Sequence, residues 1–163
     1  MPQKPLIESV TEESISLLID RFYEKVRGDA VLGPVFDASI ASHEWPEHLD
    51  TIRRFWSSVM LTSGRYSGNP VAIHRAVRGL EPSMFPCWLQ LFEQTARELF
   101  TAETASLFVD KAHRIAASLE LAVFHQLGGP PHGLQPPFTT SPSPPSKLRT
   151  RPVAILARAV SPS

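Results

Sequence analysis

One spacing constrains this chain more than any other feature. Ile15, Leu18, Ile19, Phe22 and Val26 recur at steps of 3, 4, 7 and 11, which stacks them on one face of an α-helix. The same rhythm returns three times. A helix over about residues 46–61 turns His48, Ile52, Phe55, Trp56 and Val59 inward, with Pro46 in its first turn, where a missing N–H costs little. A third, over about 83–100, turns Phe85, Trp88, Leu89, Phe92, Ala96 and Leu99 inward. A fourth runs from a Thr101 cap to about residue 127 through Leu107, Ala112, Ile115, Leu119, Ala122 and Val123, where Gly128-Gly129-Pro130 stops it. Thr11, or Ser9 with Glu12, caps the first helix. Gly28-Asp29 breaks it, and Leu32-Gly33-Pro34-Val35-Phe36 reads as a short turn segment. Between the second and third long helices, Asn69 caps a short one with Pro70 at its first position and Gly79 at its end. No stretch alternates as a strand would. The expected class is all-α.

Composition divides the chain in two. Residues 1–128 form the expected domain. Residues 129–163 hold nine of the 16 prolines and few large apolar side chains. Such a tail cannot bury enough surface to offset its chain entropy, so it is expected to be disordered. The 16 basic and 16 acidic residues cancel over the whole chain. The tail carries four basic residues and no acidic one, which leaves −4 on the first 128 residues. Neither nucleic acid nor an anionic membrane is expected as a partner on this balance. No apolar run approaches the roughly 20 residues of a membrane span. The N-terminus lacks the shape of a signal peptide. Cys87 is the single cysteine, which excludes an internal disulfide and a C-x-x-C-H haem attachment. Cytoplasm is the expected location.

Several residues could carry chemistry. His74 follows the Asn69-Pro70 helix start and offers an imidazole, a common iron ligand. Tyr23 borders the apolar face of the first helix, His48 begins the inner stripe of the second, and Trp88 brings an indole N–H, a pure donor. Phe36 could pack its ring on a flat cofactor. Dioxygen on ferrous iron gains negative charge, and a hydrogen bond to a charged group contributes about 1.5–3 kcal/mol. The string His43-Glu44-Trp45-Pro46-Glu47-His48 fails as a zinc motif: its histidines are five apart, about 140° around a helix. His113 and His125 have no second ligand near them in sequence, and Cys87 has no evident base partner.

Taken in order, Phe22-Tyr23-Glu24-Lys25-Val26, Leu32-Gly33-Pro34-Val35-Phe36, Trp45-Pro46-Glu47-His48 with Phe55-Trp56, Asn69-Pro70 with His74, and Phe85-x-x-Trp88-Leu89-x-Leu91-Phe92 resemble the group III truncated haemoglobins. The resemblance covers about residues 8–128. It implies a two-over-two helical globin fold that binds haem b. His74 would take the iron, Tyr23, His48 and Trp88 would face the bound gas, and Phe36, Ile52 and Trp56 would line the pocket. The family often carries His-Phe and a basic residue before the tryptophan, toward a haem propionate. This chain has Met84-Phe85-Pro86-Cys87, so Arg75 and Arg78 are the candidates for that contact.

Two classes of function follow from the resemblance. The first is an enzyme that converts nitric oxide and dioxygen to nitrate, or uses peroxide with His48 as acid/base. The chain has no flavin or nicotinamide domain, so a separate reductase would be its partner. The second is a non-catalytic scavenger, store or sensor of diatomic gas. A helical bundle that has lost haem is a third reading.

Overall fold

The computed structural model describes residues 2–125. Six α-helices and one short 3-10 turn follow in order. They are α1 (Glu12–Gly28), α2 (Leu32–Ser39), the turn Ser42–Glu44, α3 (Trp45–Leu61), α4 (Pro70–Arg75), α5 (Met84–Leu99) and α6 (Ala102–Phe124). The arrangement is the expected all-α, two-over-two bundle. Helix α1 packs on α3, α5 packs on α6, and α1 also meets α5, so one pair lies across the other. The short α4 packs on α6, and α2 on α1. The expected tail, 129–163, lies outside the described residues.

Local chemistry explains the helix ends. Thr11 is the cap of α1: its Oγ1 accepts from the Ser14 N–H at 3.1 Å, and the Ser14 hydroxyl accepts from the Thr11 N–H at 2.8 Å. This reciprocal pair satisfies two amides that a helix start would leave unbonded. Glu12 and Glu13 at the start of α1, and Lys25 and Arg27 in its last turn, suit the helix dipole. The N-terminal segment is tied down too. Ile7 donates to the Leu99 carbonyl at 2.9 Å and accepts from the Thr101 N–H at 3.0 Å, which stitches it to the α5–α6 corner.

Segment 32–36 departs from the expected turn. It is the start of a helix that reaches Ser39. The Asp29 carboxylate explains it, because its Oδ1 accepts from the Val31 and Leu32 N–H groups at 2.8 Å each. A side-chain cap of this kind starts a helix where composition alone suggests a break. Gly33 lets α2 press against α1. A Cβ at position 33 would lie 2.8 Å from the Arg27 carbonyl oxygen, a backbone atom with no room to yield. That close approach sets Phe36 beside α1.

The inward faces largely match the periodicity. Ile15, Leu18, Ile19, Phe22, Ile52, Trp56, Phe85, Trp88, Phe92 and Ala96 are all buried. Leu107 is a correction: it is 56% exposed, and its neighbour Phe108 is fully buried in its place. The apolar stripe of α6 therefore runs through Ala105, Phe108, Ala112, Ala116 and Leu119. Phe55 and Val59 lie only at the edge of the core.

Gly33→Ala should lower unfolding free energy by about 1–3 kcal/mol, the range for forcing atoms into a packed site. Denaturant unfolding checks this, and an unchanged midpoint would contradict the α1–α2 contact.

Candidate functional site

A cluster of rings joins α1, α2, α3 and α5. Tyr23 lies at its centre, 1% exposed. Its ring centroid is 5.8 Å from Phe36 and 6.1 Å from His48, both edge-on. The His48 ring, 1% exposed, also meets Trp45 at 5.5 Å. Trp88 approaches from α5, held in a three-ring stack. Trp56 lies 4.9 Å from Phe92 at 17°, and Trp88 lies 5.4 Å from Phe92 at 14°. Phe22 closes edge-on against both Trp88 and Phe92, at 5.3 and 5.2 Å. Each such aromatic pair contributes about 0.5–1.5 kcal/mol beyond burial. The stack therefore fixes the Trp88 indole in one orientation.

Three polar groups are buried in that cluster. Burial holds the Tyr23 hydroxyl protonated far above its ordinary pKa and outweighs the opposing effect of the Trp88 hydrogen bond. Tyr23 is thus a neutral donor at any physiological pH. The Trp88 N–H donates toward the Tyr23 hydroxyl across a loose contact. A buried indole N–H ordinarily finds a partner. The Tyr23 hydroxyl is that partner here, and the pair lies within the aromatic cluster.

His74 comes from a separate element. The Asn69 side chain accepts from the Ala72 N–H at 3.2 Å and starts α4. Pro70 occupies the first helical position, so its absent N–H loses nothing. The Pro70 carbonyl lies 2.5 Å from His74 Nδ1. A carbonyl can only accept, so Nδ1 carries the proton and Nε2 keeps its lone pair. Burial pushes the His74 pKa down to about 4, outweighing the opposing effect of that hydrogen bond. A buried, neutral imidazole with one nitrogen tied to a backbone carbonyl is the form that ligates a metal.

The remaining candidates divide. Ile52 is buried one turn beyond His48 on α3. Trp56 serves as the far end of the ring stack rather than as part of the polar group. Arg75 turns to α6, where its Nε and Nη2 donate to the Ala122 carbonyl at 3.2 and 2.6 Å. Arg78 is exposed beyond α4. His43 and His113 are exposed, and no group of three metal-ligating side chains converges among the described residues. Among the described residues His74 has no companion ligands, which suits a metal that a cofactor brings with it. The donor set fits a haem: one buried, neutral imidazole with Nδ1 tied to a backbone carbonyl, and an aromatic cluster that contains neutral donors.

No protein-family model matches the chain. It is 34% identical over 124 residues to the group 3 truncated hemoglobin ctb of Campylobacter jejuni, a match that spans 75% of this chain and 97% of that one. The crystal structure of the group III truncated hemoglobin from Campylobacter jejuni matches with a TM-score of 0.71 at 33% identity, covering 77% of this chain and all of that one.

The chain belongs to the group III truncated haemoglobins.

Within this globin, sequence reasoning gave two contributors no role. Trp45 touches Tyr23, Phe36 and His48, and the Arg27 guanidinium lies 4.4 Å from its ring centroid. The available signal was position: Trp45 stands three residues before His48, a spacing that places two helical side chains side by side.

The tyrosines give a pH test. Tyr23 is strongly raised, and burial pushes Tyr66 up to about 12. Unfolded tyrosine ionises near 10. The folded protein retains protons there that the unfolded chain loses, so this contribution to stability is complete below about pH 10 and declines above it. Ultraviolet difference titration of the folded globin should show almost no tyrosinate at pH 10. Ionisation of both tyrosines near 10 without unfolding would contradict the burial of Tyr23.

Proposed function

We propose that this globin holds haem b through His74 and binds dioxygen, nitric oxide or a similar diatomic gas under Tyr23, His48 and Trp88. A bound haem would supply an iron able to bind a diatomic gas and to change oxidation state. The observation that carries the reading is the pairing of His74, its Nδ1 proton committed to Pro70, with a buried Tyr23 hydroxyl and Trp88 indole N–H that meet in an aromatic cluster. The fold relationship supports it independently.

The chain's own residues have distinct tasks. Pro70 accepts the Nδ1 proton of His74, which leaves the opposite nitrogen as the ligand and fixes the ring plane. Tyr23 and Trp88 donate to the gas from an environment that excludes water. Water would compete for those donors and weaken each bond, because hydrogen bonds strengthen as the surroundings become less polar. His48 can donate, or can move a proton at its ring nitrogens. Phe36, Ile52 and Trp45 form apolar wall. Arg78 is the better candidate for a propionate, since Arg75 binds the Ala122 carbonyl.

The reaction that fits this set is conversion of nitric oxide, dioxygen and one electron to nitrate, with a separate reductase as donor. Converging donors retain a polar gas and slow its release, which suits chemistry on the gas better than storage of it. A cytoplasmic location belongs to the proposal, and the single cysteine suits a reducing compartment.

Tyr23→Phe should speed dioxygen release about tenfold or more, the effect of losing one hydrogen bond to a charged partner. Stopped-flow displacement by carbon monoxide reads the rate, and an unchanged rate removes Tyr23 from the role. Mixing the dioxygen form with nitric oxide should yield nitrate stoichiometrically. Recovery of unreacted nitric oxide would leave a gas-binding protein without this activity.

A further inference from the structure

Trp45 has an unusual position for a residue that opens a helix. The residues just before it, Ala41, Ser42 and His43, are exposed, yet Trp45 is 3% exposed. Its indole fills a corner shared by four groups. It lies 5.5 Å from His48 at 87°, 6.2 Å from Tyr23, and 6.2 Å from Phe36 in a near-parallel arrangement at 25°. The fourth is Arg27, from the last turn of α1, whose guanidinium carbon is 4.4 Å from the Trp45 ring centroid. Arg27 is exposed. Tyr23 and His48 are therefore the deeper pair, Trp45 lies against both, and Arg27 is outermost.

This order makes the indole a wall between the His48 ring and an exposed cation. The His48 ring is packed edge-on against both Trp45 and Tyr23, which also meet each other, so the three rings close a triangle. The two rings share one helix face, so a shift of Trp45 also removes the support of His48. The guanidinium keeps its water and still attracts the negative face of the indole, an attraction that survives at the surface.

We propose that Trp45 is a positioning residue for His48, and that Arg27 latches it: the cation holds the indole in its corner, and the indole holds the histidine inside the site. Opening the path to solvent beside His48 requires Trp45 to leave the corner, and leaving it breaks the Arg27 contact. The functional consequence, control of how readily a gas passes His48, rests on the reading of His48 as part of a gas site. The latch itself does not.

The test uses the full-length globin as purified and a small imidazole-directed reagent, diethylpyrocarbonate, with modification of each histidine read by peptide mass spectrometry. Exposed His43 and His113 report reagent strength, and buried His74 reports global loosening. His48 should react far more slowly than His43 in the natural chain. Arg27→Gln should raise the His48 rate about three- to fivefold with His74 still protected, the effect of losing one surface cation–π contact on an opening equilibrium. Trp45→Ala should raise it further, and Trp45→Phe should restore most of the protection. Arg27→Gln changes an exposed side chain, so it decides the matter even where Trp45→Ala does not fold. An unchanged His48 rate in Arg27→Gln, or equal rises at His48 and His74, would overturn the latch. Carbon monoxide rebinding after photolysis should accelerate in Arg27→Gln by a similar factor. If neither protein binds carbon monoxide, the haem reading fails, and the modification rates still decide the latch.

Discussion

The hydrogen bond between His74 Nδ1 and the Pro70 carbonyl is the interaction on which the rest of the proposed chemistry depends. A helix only six residues long would ordinarily be a loose support. Three features fix it. Asn69 caps it, Pro70 pre-sets its first backbone angle, and Arg75 ties its last turn to the Ala122 carbonyl near the end of α6. Within that turn, the Pro70 carbonyl determines which nitrogen carries the proton. Burial then keeps the ring neutral. One proline thus starts the helix and selects the tautomer of the residue four positions later.

The polar cluster between the other helices is framed by aromatic packing. The Trp56–Phe92–Trp88 stack crosses from α3 to α5, and Phe22 and Tyr23 bring α1 to the same point. Donors on such a support need no reorganisation when a small ligand arrives. Ion pairs add links at the rim: Lys25 with Glu98 at 2.7 Å joins α1 to α5, and Arg53 with Asp20 joins α3 to α1. These are partly exposed, and pairs of that kind contribute at most about 1 kcal/mol. The fold and the site are therefore held by the same rings.

The four long helices were legible because a helix must turn its apolar residues to one side, and the spacing of Ile15 to Val26 records that directly. The Asn69-Pro70 start of α4 was legible for the same local reason. Helix α2 was missed because its cause, the Asp29 carboxylate on two amides, is a specific side-chain bond that apolar periodicity does not encode. Leu107 was misplaced because it and Phe108 both fit a helical stripe, and packing against Phe100 at 4.8 Å selects Phe108. The site was legible in part. Tyr23, Phe36, His48 and Trp88 converge as the order of motifs implied. Arg75 was a candidate for a propionate on charge and on its place beside His74, and neither reveals its hydrogen bonds to the Ala122 carbonyl. Trp45 escaped because a tryptophan before a proline reads as a helix boundary, and only the fold shows the corner it fills.

The central claim is that His74 is the ligand of a haem iron. The absorption spectrum of the purified protein, compared with that of His74→Ala prepared in parallel, tests it most directly. The expected result is a strong Soret band in the natural chain that is lost or shifted in the variant, and that returns toward the natural position when imidazole is added. A natural chain with no Soret band after reconstitution, or identical spectra for the two proteins, would contradict the assignment of His74.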